Sequence, residues 1–182
     1  MDLYLIRHPR PTVDVGVCYG RTDMAVEEEH LLEAIQRLQL LLPRNFQVWS
    51  SPLTRCRRLS ERLHVEPRFD DRLMEMNFGA WELKSWDQIE RAAIDAWAND
   101  PLDFISSGGE FLRDLCTRVA AFLDDVADES VPLVLVTHAG VMRAAAAHLL
   151  GNVDWMRMPF EFHYGNSGIV YTILTFNFWN NG

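Results

Sequence analysis

The sequence predicts an α/β three-layer sandwich, in which a mostly parallel central sheet carries helices on both faces. Short apolar runs at residues 3–6, 46–49 and 132–136 read as strands, and the last has no polar side chain, as a strand covered on both faces requires. Between these runs lie helical patterns of a dozen or more residues, too long for hairpins and suited to right-handed crossovers between parallel strands. A chain of 182 residues with 48% hydrophobic content is large enough for one domain with a substantial core.

The elements follow in order. Leu3-Tyr4-Leu5-Ile6 is a short buried strand that ends in Arg7-His8, because Pro9 and Pro11 remove ladder donors and restrain the residues before them. Residues 10–26, with Gly16, Gly20 and Asp23, form a loop long enough to hint at function. Apolar positions 31, 35, 38 and 42 make a helix over about 27–42, stopped by Pro43. Phe46 to Trp49 is the second strand. Ser51 is expected to N-cap a helix with Pro52 in its first turn and Leu53, Cys56, Leu59 and Leu63 facing inward.

Residues 67–84 are irregular apart from an extended piece at Arg68-Phe69. Ser85-Trp86-Asp87-Gln88 has capping-box spacing and is expected to open a helix through about Ala98. Gly108-Gly109-Glu110 leads into an amphipathic helix with Phe111, Leu115, Val119, Phe122 and Val126 on one face. The strand 132–136 delivers Thr137-His138-Ala139-Gly140, an alanine-rich helix runs to about Leu150, and a β-rich segment from Ile169 to Phe176 closes the sheet at an edge.

A formal net charge of −9 argues against a nucleic-acid or anionic-membrane surface, so any anion site is local. Only Lys84 among the 17 basic residues is lysine, and arginine is the side chain suited to bidentate phosphate contacts, although composition bias explains the same excess. Cys18, Cys56 and Cys116 are odd in number and lack C-x-x-C spacing, which fits a reduced cytoplasmic protein with neither disulfides nor a metal cluster. The N-terminus enters a strand at once, leaving no room for a signal peptide, and no apolar run is long enough to span a membrane. No residue pattern speaks to oligomeric state.

Parallel topology brings three strand ends to one edge: Arg7-His8, Ser50-Ser51 with Arg55 one turn on, and Thr137-His138. One histidine after a strand is ordinarily a hydrogen-bonded structural residue. Two of them, joined by arginines, suggest an anion cradle to which the N-terminus of the helix at 52–64 would add a favourable dipole.

Leu5-Ile6-Arg7-His8, Ser50-Ser51-Pro52-Leu53-Thr54-Arg55, Leu73 to Glu82 and Val136-Thr137-His138-Ala139-Gly140 resemble, in order, the motifs of the histidine phosphatase (phosphoglycerate mutase-like) superfamily. The stretch Cys18-Tyr19-Gly20-Arg21-Thr22-Asp23 most resembles the α-ribazole phosphatase branch, which acts late in cobalamin nucleotide-loop synthesis. The resemblance implies a phosphoglycerate mutase-like fold over residues 1–182, with about 76–110 as a cap-like segment over the site. It implies a phosphoric monoester hydrolase without cofactor or metal, acting on a small phosphorylated substrate such as α-ribazole-5′-phosphate. His8 would be the nucleophile that forms a phosphohistidine, while Arg7, Arg55 and His138 hold the phosphoryl oxygens. Glu75 would be the general acid, protonated chiefly in the substrate complex, and Arg21, Thr22 and Ala139 would touch substrate. Nearby guanidinium groups keep His8 neutral and stabilise the transferring phosphoryl group.

The chain also departs from the family. Pro9, Arg10, Pro11 and Asp14 stand where glycine, Glu-Thr and asparagine are common, and Asp14 would repel phosphate unless it turned away. Arg10 either reaches the substrate or is a solvated loop residue. Trp81, Trp86 and Trp97 are either core or an aromatic pocket wall, and Tyr164 to Ser167 could close another side. The alternatives are a phosphoglycerate mutase and a non-catalytic phosphoester-binding or regulatory protein. The short chain end disfavours the first, and retention of all five of Arg7, His8, Arg55, Glu75 and His138 disfavours the second.

Overall fold

Strand β1 (Asp2–Arg7) lies at the heart of a sheet because its two faces are both apolar. In the computed structural model, which describes residues 2–151 and 173–177, Leu3 and Leu5 face one core and Ile6 the other. The same two-residue alternation holds in β4 (Leu133–Thr137), where Leu133 and Leu135 oppose Val134 and Val136. The first core holds α4 (Leu112–Asp125) and α5 (Ala139–Leu150), and the second holds α1 (Glu28–Leu41) and α2 (Thr54–Leu63). Three layers follow from that alternation.

The strand order is β3-β2-β4-β1-β5, with β2 spanning Gln47–Ser50, β3 Arg68–Phe69 and β5 Ile173–Asn177. β1, β2, β3 and β4 pair in parallel, and β5 lies at the edge as expected; its antiparallel pairing with β1 is a feature the sequence pattern does not specify. Residues 169–172 of the expected last strand, and Tyr164 to Ser167, lie outside the described residues. Register sets the site: Arg7 is opposite Thr137 and Ser50 opposite Val136, so the residues after each strand emerge side by side.

Two local expectations need correction. Helix α2 begins at Thr54 rather than at Pro52, since Leu53 is extended (φ −62°, ψ 138°) and occupies the N-cap position. The side chain that caps it is distant: Asp23 accepts from the Thr54 amide (2.7 Å) and hydroxyl (2.6 Å). A carboxylate therefore already sits at this helix's positive end, contrary to the idea of a dipole left open for phosphate. The Ser85–Gln88 capping box does form, but it closes a single 3-10 turn (Trp86–Gln88). Ile89 is then extended, and α3 starts only at Arg91 and ends at Asn99.

Candidate active site

His8 is placed by the sheet, since its amide donates to the Thr137 carbonyl (3.0 Å), one step beyond β1. Its ring is almost fully buried, and Nδ1 lies 2.7 Å from the Pro9 carbonyl oxygen. A carbonyl only accepts, so Nδ1 carries the proton and Nε2 keeps a lone pair. Burial, then Arg55 and Arg7, push the His8 pKa well below the usual 6.5, against the smaller opposing pull of the Pro9 carbonyl. The departure at Pro9 costs nothing here, because the contact uses the backbone.

His138, the residue before α5, is fully buried with its ring 5.1 Å from that of His8 and tilted by 57°. Its pKa is likewise well below 6.5, through burial first and then Arg55, His8 and Arg7. Arg55 is fully buried in the first turn of α2, where it donates to the carbonyls of Thr22 (2.8 Å) and Gly20 (2.6 Å) and lies over the Tyr19 ring. A guanidinium has five N–H donors. Two of these serve the loop carbonyls, and the Nε is buried with no partner among the described residues. Arg7, half-buried at the end of β1, lies close enough to act electrostatically on both histidines.

Glu75 reaches the start of α5, where its two oxygens accept from the Met76 amide (3.0 Å) and the Gly140 amide (3.2 Å). The structure thus brings Arg7, His8, Arg55, Glu75 and His138 to one sheet edge, with Ala139 at the first turn of α5 beside them.

Arg21 and Thr22 reach this edge differently from the expected substrate contacts. The Thr22 amide (2.6 Å) and hydroxyl both donate to one oxygen of Glu82, and the Arg21 amide donates to the other (2.9 Å). Thr22 meets the site through the carbonyl that holds Arg55. The Arg21 guanidinium pairs with Glu110 (3.4 Å), which also binds Arg118 (2.7 Å) and the Asn77 amide (3.2 Å). Arg118 and Arg21 in turn donate to the Glu75 carbonyl (3.2 and 3.4 Å). Gly20 is required by close approach, because a Cβ there would fall 2.0 Å from the Met76 oxygen.

Sequence reasoning gave no role to Glu82, Glu110, Arg118 or Asp23. A carboxylate following Gly-Gly and another following Trp were the available signals, but neither says which loop amides it will meet. Arg143, half-buried on α5 one turn beyond Gly140, also lies in the field of Arg7 and Glu75; burial and Arg7 lower its pKa while Glu75 opposes them.

Trp81, Trp86 and Trp97 pack on one another and on Phe78, Phe104, Cys18 and Ile89 as a satellite core, with Trp86 and Trp97 stacked at 6.3 Å. Arg10 and the exposed Asp14 line a recess of about 670 Å³ together with Glu27 and His30. Among the described residues no group of three or more His, Cys, Asp or Glu side chains is arranged to hold a metal, and no helix is long and apolar enough to cross a membrane.

The profile of the histidine phosphatase superfamily (branch 1) matches residues 3–177. The chain is 29% identical over 162 residues to phosphoserine phosphatase 1 of Hydrogenobacter thermophilus, covering 83% of this chain and 77% of that protein. Among solved structures, mycobacterial glucosyl-3-phosphoglycerate phosphatase matches with a TM-score of 0.74 at 27% identity, covering 85% of this chain and 82% of that one. A phosphoglycerate mutase from Thermus thermophilus matches with a TM-score of 0.67 at 34% identity, covering 79% and 81%. With nearly its whole described length under one family profile, the chain belongs to the histidine phosphatase superfamily, branch 1.

Proposed function

We propose that this chain is a metal-independent phosphomonoesterase that hydrolyses a small phosphate ester through a phosphohistidine on His8. The observation that carries the reading is the state of His8: buried, neutral, with Nδ1–H held by the Pro9 carbonyl and the Nε2 lone pair left to attack phosphorus. In-line attack by Nε2 transfers the phosphoryl group and expels the ester oxygen. Arg7, Arg55 and His138 offset charge on the phosphoryl oxygens, Glu75 protonates the leaving oxygen, and water then attacks the phosphohistidine to release phosphate. Relatives named as phosphatases support hydrolysis as the net reaction.

The leaving group is a finer matter. The resemblance to the α-ribazole branch rests on residues 18–23, and most of their polar groups serve the fold: Gly20 and Thr22 hold Arg55, Thr22 and Arg21 bind Glu82, and Asp23 caps α2. That stretch therefore says little about the alcohol portion of the substrate. Phosphoserine and glucosyl-3-phosphoglycerate, from the names of relatives, stand beside α-ribazole-5′-phosphate as candidate esters. Residues 76–110 serve as the cap in this reading, since the satellite aromatic core lies largely within them and Cys18 ties it to the 16–22 loop.

The test is hydrolysis of p-nitrophenyl phosphate and the three esters with chelator present, comparing the parent with His8→Ala. Turnover by the parent, its loss in His8→Ala and an acid-labile phosphoryl label on His8 are expected. Undiminished turnover in His8→Ala would remove the mechanism, and isomerisation of phosphoglycerate without phosphate release would favour the mutase reading.

A further inference from the structure

The strand-end residue Ser51 has no part in the reaction described so far, yet it is fully buried against His138. We propose that Ser51 is a positioning residue that fixes the tautomer of His138: its hydroxyl donates to Nε2, so the ring carries its proton on Nδ1 and offers that N–H to the phosphoryl oxygens. The tautomer follows from the hydrogen-bond partners of Ser51 and the neutral ring, whereas its use in catalysis rests on the function proposed above.

Ser51 Oγ lies 2.8 Å from His138 Nε2 and accepts from the Leu53 amide at 3.3 Å. A hydroxyl has one proton to give and two lone pairs to receive with. Since the Leu53 amide uses a lone pair, the proton needs an acceptor, and Nε2 is the nitrogen that faces it. Competing partners are weak or occupied. The Ser51 carbonyl already accepts from the Ser50 hydroxyl (2.9 Å). The Cys56 sulfur adjoins Ser51 and lies 3.5 Å from Nε2, but a thiol is a poor acceptor, and its own proton has the Thr137 carbonyl at 3.5 Å.

The reverse assignment fails on two counts. A proton on Nε2 would leave the serine hydrogen with only sulfur to meet, inside a buried site where an unmade hydrogen bond is costly. It would also leave Nδ1, which lies 3.9 Å from the Cys56 sulfur, with a lone pair in place of an N–H. Because burial and the surrounding cations keep His138 neutral, the ring has a single N–H, and its placement decides whether the residue attracts phosphate or repels it.

The two histidines are thus set in the same tautomer for opposite ends. In His8 the Pro9 carbonyl takes the Nδ1 proton and leaves a lone pair to attack, whereas in His138 the Ser51 hydroxyl occupies the lone pair and leaves a proton to donate. Strand register supplies the accuracy, since the Ser51 amide donates to the Val136 carbonyl (3.0 Å), two residues before His138.

The test uses the full chain labelled with ¹⁵N-histidine. Multiple-bond proton–nitrogen correlation at neutral pH reports which ring nitrogen is protonated, with His138→Gln to assign the signal. The parent should show His138 protonated on Nδ1. Ser51→Ala should lose that preference and lower kcat/KM about 10–100-fold, the scale found when partners orienting metal-bound histidines are removed. Ser51→Thr, which keeps the hydroxyl, should retain the tautomer and restore most of the rate.

A parent protonated on Nε2 would overturn the proposal even if Ser51→Ala failed to fold. So would an unshifted His138 in a folded Ser51→Ala protein. An Nδ1–H parent that hydrolysed no phosphate ester would instead overturn the function reading and leave the tautomer assignment standing.

Discussion

Gly140 and Glu75 occupy mutually exclusive space: the Gly140 amide donates to Glu75 Oε2 at 3.2 Å, and a Cβ on residue 140 would lie 2.3 Å from Oε1. Glycine at this point of α5 is therefore a condition for the carboxylate's position, and not a helix-breaking defect. Gly140→Ala should displace the carboxylate while keeping the helix. A shift of about 1 Å in a reacting group can cost about 10²-fold in rate, so kcat should fall on that scale while the melting temperature changes little. Glu75→Gln should lose about 10²–10⁴-fold, the usual worth of a general acid. Steady-state kinetics with a poor and a good leaving group checks both, since loss of an acid hurts the poor one more.

Glu82 should matter to phosphate binding without touching phosphate. Its two oxygens gather the amides of Arg21, Thr22 and Phe78 and the Thr22 hydroxyl, and that loop supplies the carbonyls that hold Arg55. Glu82→Ala leaves several partly buried donors without a partner and should cost about 1–3 kcal/mol of stability. It should also raise KM and weaken inhibition by inorganic phosphate, because Arg55 loses its rest. Denaturant titration and phosphate inhibition measure the two effects separately.

The acid limb of kcat/KM should lie below pH 6.5, because burial, Arg55 and Arg7 depress the His8 pKa. Arg7→Gln removes a positive charge and should move that limb to higher pH, so that activity near pH 6 suffers more than activity near pH 8. Stability obeys the same sign. His8 and His138 have folded pKa values depressed from 6.5, so the unfolded chain binds more protons below that value. Their contribution is present above pH 6.5 and is lost as the pH falls from there toward the folded values. Thermal melts across that window should show a shallower decline in His8→Asn than in the parent.

Glu110 ties two arginines to the backbone of Glu75, since Arg21 and Arg118 both donate to the Glu110 carboxylate and to the Glu75 carbonyl. The Arg118 and Glu110 side chains are only 15% and 12% exposed, so the pair is largely shielded from solvent. Removing one partner leaves the other charge stranded. Glu110→Gln should lower stability by about 1–3 kcal/mol, on the scale of a lost charged hydrogen bond, and Arg118→Met should undo part of that loss. A double-mutant cycle by denaturant unfolding measures the coupling.

The layered α/β fold and the central pair Arg7-His8 were legible because they depend on local pattern. Short continuous apolar runs mark strands covered on both faces, helical spacing marks crossovers, and Pro9 and Pro11 mark where β1 must stop. The start of α2 is not legible locally because its cap, Asp23, is 31 positions away, while the nearby Ser51 holds the Leu53 amide and His138 and no amide of the helix. The Ser85–Gln88 box formed, but it could not show that Ile89 would turn extended and delay α3.

What the sequence by itself determined is the chemistry available: a histidine and an arginine at the end of one strand, a histidine at the end of another, and an arginine one turn into a helix. Those follow from short-range periodicity and turn chemistry. Only the tertiary structure decided their states. Parallel register put the rings 5.1 Å apart, a carbonyl and a hydroxyl chose which nitrogens hold protons, and Glu82 and Glu110 bent distant loops into contact. Protonation and orientation are set by burial and by partners across tens of residues of chain, and no local pattern encodes those distances.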